Sequence, residues 1–163
     1  MACLFSSAGD LQLNVRLLRT TFDPFQQDME WFEYEVSVEG GLQNNATEAP
    51  SEPSLRTAVR GKVNRQEFNQ LLRGFDDLLE RSQSIRFEPA DLKFYFEWSH
   101  ETPSVYLLIT WFDLALAART LEQRFPTAHH GYRFLADRGS LREFRRRLET
   151  EFSRPASSPS RVV

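Results

Sequence analysis

Two stretches of this chain begin in the same way at a constant spacing. Asn64-x-x-Glu67-Phe68-x-x-x-Leu72 is matched by Ser140-x-x-Glu143-Phe144-x-x-x-Leu148, and the Phe68–Phe144 and Leu72–Leu148 pairs both lie 76 residues apart. In each, a side-chain oxygen can accept from the amide three residues on, and the glutamate can reach back. Apolar residues then follow at helical spacing: Phe68, Leu71, Leu72, Phe75, Leu78 and Leu79 in the first stretch, and Leu141, Phe144, Leu148 and Phe152 in the second. The first helix is predicted to end near Ser82. The second has Ser140 as its cap and Glu143 in the capping-box position. A helix with one apolar stripe must bury it against another layer.

Runs of period two supply that layer. Leu11, Leu13, Val15 and Leu17 alternate with Gln12, Asn14 and Arg16. Phe32, Tyr34, Val36 and Val38 alternate with Glu33, Glu35, Ser37 and Glu39, and Gly40-Gly41 ends that run. Residues 42–54 are polar, with Pro50 and Pro53, and read as a long mobile connection. Leu55, Thr57, Val59 and Val63 form a third strand, with Arg56, Arg60 and Lys62 opposite. The second half repeats the plan. Leu92, Phe94, Phe96 and Trp98 make a strand, and Ser99 to Pro103 reads as a hairpin loop. Val105, Leu107, Ile109 and Trp111 are assigned inward on the return strand, although Tyr106, Leu108, Thr110 and Phe112 make its other side nearly as apolar. Asp113 to Phe125 suits a short helix or a strand extension with a long hairpin. Tyr132, Phe134 and Ala136 make a last strand.

The expected fold is α+β: two βββα halves forming one mainly antiparallel sheet of about six strands, with both helices on one face. Residues 1–10 are expected to be a mobile start and 11–152 a single domain with halves 11–82 and 85–152. Residues 153–163, rich in proline and serine, are expected to be a disordered tail. The length of 163 residues allows a substantial core.

Composition narrows the chemistry. A net charge of -3 gives no argument for nucleic acid or an anionic membrane. Cys3 is the single cysteine, so neither an internal disulfide nor a cysteine cluster for zinc can form. Met1 to Ser7 lacks a basic region followed by a long apolar run, so no secretory signal is expected, and a cytoplasmic location is. His129 and His130 are adjacent and diverge in a strand or a helix; His100 sits in the expected loop. Gly40-Gly41 leads into a polar loop rather than a helix, which defeats a phosphate-loop reading. Arg145-Arg146-Arg147 is interleaved with Glu143, Glu149 and Glu151, and Asp76-Asp77 lies on the wet face of a helix. No catalytic, metal or cofactor residues are assigned.

The outward sheet face should carry Leu18, Tyr95, Tyr106, Leu108, Phe112 and Leu135 among charges that include Glu33 and Glu35. Aromatic residues set among charges are a mark of protein interfaces. Leu18, Glu33, Glu35, Tyr95, Tyr106, Leu108 and Phe112 are therefore the candidate partner-binding residues, with a second protein or a second copy as partner. The competing reading is that residues 113–125, or the curl of the sheet, cover them.

The run from Tyr132 to Phe144 is an aromatic strand that enters a helix through Asp137-x-x-Ser140-Leu141-x-x-Phe144. With Trp31-Phe32-Glu33-Tyr34-Glu35-Val36 and Leu92-Lys93-Phe94-Tyr95-Phe96-Glu97-Trp98, it resembles the bacterial WapI-like immunity family. The resemblance covers about residues 11–152 and rests on core positions, so no family site residue is carried over. It implies a small cytoplasmic protein that binds and blocks a toxin domain. The acids Glu33, Glu35, Glu39, Glu48 and Glu52 would then face a basic partner. A domain that binds a small ligand or catalyses a reaction, with a cleft beside residues 113–130, and a self-associating structural domain are the alternatives.

Overall fold

A computed structural model describes residues 1–23, 25, 29–40, 55–89, 94–102, 105–113 and 129–153. The expected connection at 42–54, most of the ambiguous 113–125 segment and the tail beyond Ser153 lie outside them. The strands are β1 Ala2–Phe5, β2 Leu11–Phe22, β3 Glu30–Gly40 and β4 Leu55–Asn64, followed by α1 Arg65–Arg81. Then come β5 Ile85–Phe87, β6 Phe94–Thr102, β7 Val105–Asp113 and β8 His129–Asp137, followed by α2 Arg138–Phe152.

The α+β class and the repeated plan hold, but the single six-stranded sheet does not. Among the described residues there are two four-stranded antiparallel sheets, ordered β1-β2-β3-β4 and β5-β6-β7-β8. Each half is therefore ββββα. The additional strands, β1 with four residues and β5 with three, are too short to show a periodicity. The expected mobile start contains β1, whose Ala2 and Leu4 are buried against α2 and β2. The sheets meet where the Ser7 amide donates to the Leu135 carbonyl at 2.7 Å, beyond the end of β1.

In the first half the alternation is followed closely. Leu13, Val15, Phe32, Tyr34, Val36, Val38, Val59 and Val63 are buried. The pairing of β2 with β3 shifts between Leu17 and Arg19, so Leu18 is the extra residue of a bulge. One added residue exchanges the two faces of a strand. Thr20 thereby pairs with buried Phe32, and Arg19 pairs with Glu33. Without the bulge, Arg19 would be aimed at the core.

In the second half β7 has the opposite parity to that expected. Tyr106 is 1 % exposed and Thr110 is fully buried, whereas Val105 and Leu107 are half-buried. A strand apolar on both sides carries no sign of which side is inward, and its neighbours decide. Thr110 pairs with Phe96, and Tyr106 with Ala136, both buried. The loop expected at 99–103 is mostly strand, because β6 continues to Thr102. His100 packs edge-on against Tyr106 with ring centroids 5.3 Å apart.

The first helix starts as its sequence requires: the Asn64 side chain accepts from the Glu67 amide and Glu67 accepts from the Asn64 amide, both at 2.9 Å. The second helix starts one turn early. Its cap is Asp137, which accepts from the Ser140 amide at 2.9 Å and the Ser140 hydroxyl at 2.6 Å. Those bonds hold the Asp137 carboxyl below its ordinary pKa. Glu143 does not close a capping box; its carboxylate accepts from Arg146 and Arg147 at 2.7 and 2.8 Å.

The helices run antiparallel and hold the halves together. Phe68 of α1 stacks on Phe152 of α2 at 4.4 Å, and Phe152 also meets Phe32 of β3 edge-on at 5.3 Å. Further along, Phe75 packs on Trp98 of β6 at 5.0 Å and on Phe144 at 6.0 Å. Arg145 bonds Asp76 at 2.9 Å, and Arg138 donates to the Leu79 carbonyl at 2.6 Å. The second helix thus packs on β1 and β2 of the first sheet as well as on β8 of its own half, while α1 contacts β5 and β6 of the second sheet as well as β3 and β4 of its own. Val15, Tyr34 and Val36 of one sheet share a small apolar void with Phe87 and Phe96 of the other.

This cross-packing predicts that neither half folds alone. A fragment of residues 1–82 should show no cooperative unfolding transition by circular dichroism, whereas the full chain should show one. In the full chain, Phe144→Ala should cost about 3–5 kcal/mol in urea denaturation, as expected for a large aromatic removed from a packed core.

Candidate interaction surface

The outer face of the first sheet is built by alternation: when Phe32, Tyr34 and Val36 turn inward, Glu33 and Glu35 must turn outward. The register then places cations beside them. Glu33 lies between Arg19 on β2 and Lys62 on β4, and Glu35 lies opposite Arg60. Arg19 donates to Glu33 at 2.7 Å, Lys62 sits 3.1 Å from the same carboxylate, and Arg60 reaches Glu35 at 2.7 Å. The bonds from Arg19 are the main reason that the Glu33 carboxyl is lowered to about 2; Lys62 adds to the effect and partial burial opposes it. The acidic strip expected on β3 is therefore a lattice of alternating charge.

The candidate residues do not form one patch. Glu33 and Glu35 share this lattice, and Leu18, 37 % exposed, projects from the bulge beside it. Tyr106 belongs to the core and leaves the candidate surface, for the reason of strand parity given above. Tyr95, Leu108 and Phe112 hold strand positions on β6 and β7, but their side chains lie outside the described residues. Leu135, expected outward, is 42 % exposed.

Other exposed apolar side chains carried no periodic signal. Phe5 on β1 is 53 % exposed, near Leu135 where the sheets meet. Phe22 and Phe25, at the β2–β3 end of the first sheet, are 60 % and 94 % exposed. Their neighbour Asp23 accepts from the Phe25 amide at 2.8 Å. The arginine run on α2 is neutralised locally: Arg145 pairs with Asp76 and Glu149, and Arg146 and Arg147 pair with Glu143.

A groove of about 340 Å³ lies between α1 and β5. Leu71, Gly74, Ile85 and Phe87 line it together with Glu67, Gln70, Arg86 and Glu88. Gly74 lets the helix approach the strand, because a Cβ there would lie 3.1 Å from Ile85 Cδ1. Among the described residues no three His, Cys, Asp or Glu side chains are grouped to hold a metal, and no helix is long and apolar enough to cross a membrane. No family model, curated protein or solved structure matches the chain.

The lowered Glu33 pKa fixes the sign of a pH effect. A carboxyl with a folded pKa below its unfolded one contributes stability that is complete above the unfolded value and is lost as pH falls through the folded value. Stability should therefore decline between pH about 4.5 and about 2. Glu33→Gln should flatten that part of the profile in urea denaturation at stepped pH, while an unchanged slope would show that the lattice does not hold the carboxylate.

Proposed function

We propose that this chain is a non-catalytic protein-recognition domain, and that it neutralises a partner toxin in the cytoplasm. The observation that carries the first part is the exposure of Phe5, Phe22, Phe25 and Leu135 on a protein that already has a full aromatic core. Large apolar side chains left in water beside charged residues fit a contact surface better than a simple solvated one. The second part draws support from the WapI-like pattern of the aromatic strands and the strand-to-helix turn at Asp137. Because the first sheet's outer lattice carries both signs, it would contribute orientation and discrimination against wrong partners more than bulk attraction.

Affinity capture with the tagged full chain, compared with Phe5→Ser/Leu135→Ser and Phe22→Ser/Phe25→Ser, tests this. The reading predicts a protein retained by the wild type and reduced at least tenfold by one double variant whose circular dichroism is unchanged. Identical capture by all three proteins would contradict it. Loss of a dimer in light scattering by the same variants would identify the partner as a second copy.

A further inference from the structure

We propose that the outer face around Leu107 and Leu135 is the contact surface of a two-fold dimer, in which Arg133 of each copy pairs with Glu101 of the other. The proposal rests on the protein-recognition reading and names a second copy as the occupant of one of its two exposed places. The face is built by alternation. Tyr106, Thr110, Phe134 and Ala136 are buried, so Val105 and Leu107 of β7 and Leu135 of β8 turn outward. Leu107 and Leu135 stand directly opposite each other in the register. Phe5 extends the strip across the seam between the sheets, where the amide and the hydroxyl of Ser7 both donate to the Leu135 carbonyl, at 2.7 and 2.9 Å. One buried cluster holds residues of both sheets, so the outer sides of β8 and β1 both turn away from it.

The charges around this strip are arranged for self-pairing. The pairing of β6 with β7 shifts between His100 and Thr102, so Glu101 is the extra residue of a bulge. It lies two residues beyond Ser99, which is opposite Leu107. Arg133 lies two residues from Leu135 in the other direction along the strands, opposite Ile109. The backbone positions of the two charges are therefore opposite corners of the strip, with Leu107 between them. Within one copy their side chains reach over β7 to 4.0 Å and remain 65 % and 46 % exposed. An exposed ion pair of this kind contributes little to the fold. A two-fold axis lying between two such faces, over Leu107 and across the Arg133–Glu101 diagonal, exchanges the corners. Each Arg133 then meets Glu101 of the other copy, and Leu107 meets its own counterpart. Closed contacts of this isologous kind are the commonest way in which identical chains associate.

Size sets the strength. Phe5 is 53 % and Leu135 42 % exposed, and Val105 and Leu107 are half-buried. From β6 to β1 the strip is four strands wide, roughly 15–20 Å at 4.8 Å per strand, and about 15 Å long at 3.4 Å per residue. That is the small end of specific interfaces, with an apolar centre flanked by charge, so a reversible dimer is expected. Leu107 is about 20 Å along β7 from the Asp113–His129 pair, so the strip occupies the opposite end of the sheet from the β7–β8 connection.

The test is sedimentation equilibrium of the full chain over a wide range of concentration. The wild type should pass from monomer to dimer as concentration rises, and Leu135→Ser should weaken the dimer at least tenfold. Arg133→Glu makes both corners acidic and Glu101→Arg makes both basic. Each variant alone should dimerise at least tenfold more weakly, because like charges then meet. An equimolar mixture of the two should form a heterodimer within about threefold of the wild-type affinity, a rescue that pairing inside one copy does not supply. Both substitutions fall on exposed side chains, so circular dichroism should be unchanged. A wild type that is monomeric at every concentration, single variants that dimerise as well as the wild type, or a mixture that stays monomeric would overturn the proposal. Failure here, with partner capture through Phe22 and Phe25 intact, removes the dimer face and leaves recognition standing.

Discussion

The stack of Phe68 on Phe152 is the contact on which the rest of this structure depends. It joins the first turn of one helix to the last turn of the other, and through Phe32 it joins both to the first sheet. Near the middle of the two helices, Phe75, Phe144 and Trp98 make the corresponding link to the second sheet. Aromatic pairs of this kind contribute about 0.5–1.5 kcal/mol beyond the area they bury. Their larger consequence is topological. Each helix packs on both sheets, so one core serves two repeats. Polar contacts between the helices, Arg145 to Asp76 and Arg138 to the Leu79 carbonyl, fix their relative position along the same seam.

How far the sequence announced this depended on whether each element had two distinguishable faces. Strand β3, with Phe32, Tyr34, Val36 and Val38 against Glu33, Glu35, Ser37 and Glu39, was legible except at Ser37, which is buried although it was expected outward. The six buried positions of α1 and its capping box were legible too. Strand β7 was not, because Tyr106 and Val105 are both apolar enough to be inward, and only pairing with Phe96 and Ala136 decides. The start of α2 was read with Ser140 as its cap, but Asp137, one helical turn earlier, takes that place by accepting from both the amide and the hydroxyl of Ser140. Strands β1 and β5 were invisible because a period of two cannot be read from three or four residues. Missing them turned two sheets into one.

The candidate surface was legible only in part, for a related reason. Alternation showed that Glu33 and Glu35 face outward, but the cations that neutralise them come from other strands. Only the register between β2, β3 and β4 brings Arg19, Lys62 and Arg60 to them. The bulge at Leu18 is essential to that match, since it turns Arg19 out to meet Glu33. The α1–β5 groove was hidden for the same reason as β5 itself.

A double-mutant cycle at Phe68 and Phe152 tests the interlocked core most directly. Equilibrium urea denaturation of the wild type, Phe68→Leu, Phe152→Leu and the double variant would give their coupling energy. A coupling of about 0.5–1.5 kcal/mol is predicted, in the range for packed aromatic neighbours. Additive losses, with coupling near zero, would show that the two helices do not clasp the halves through this stack.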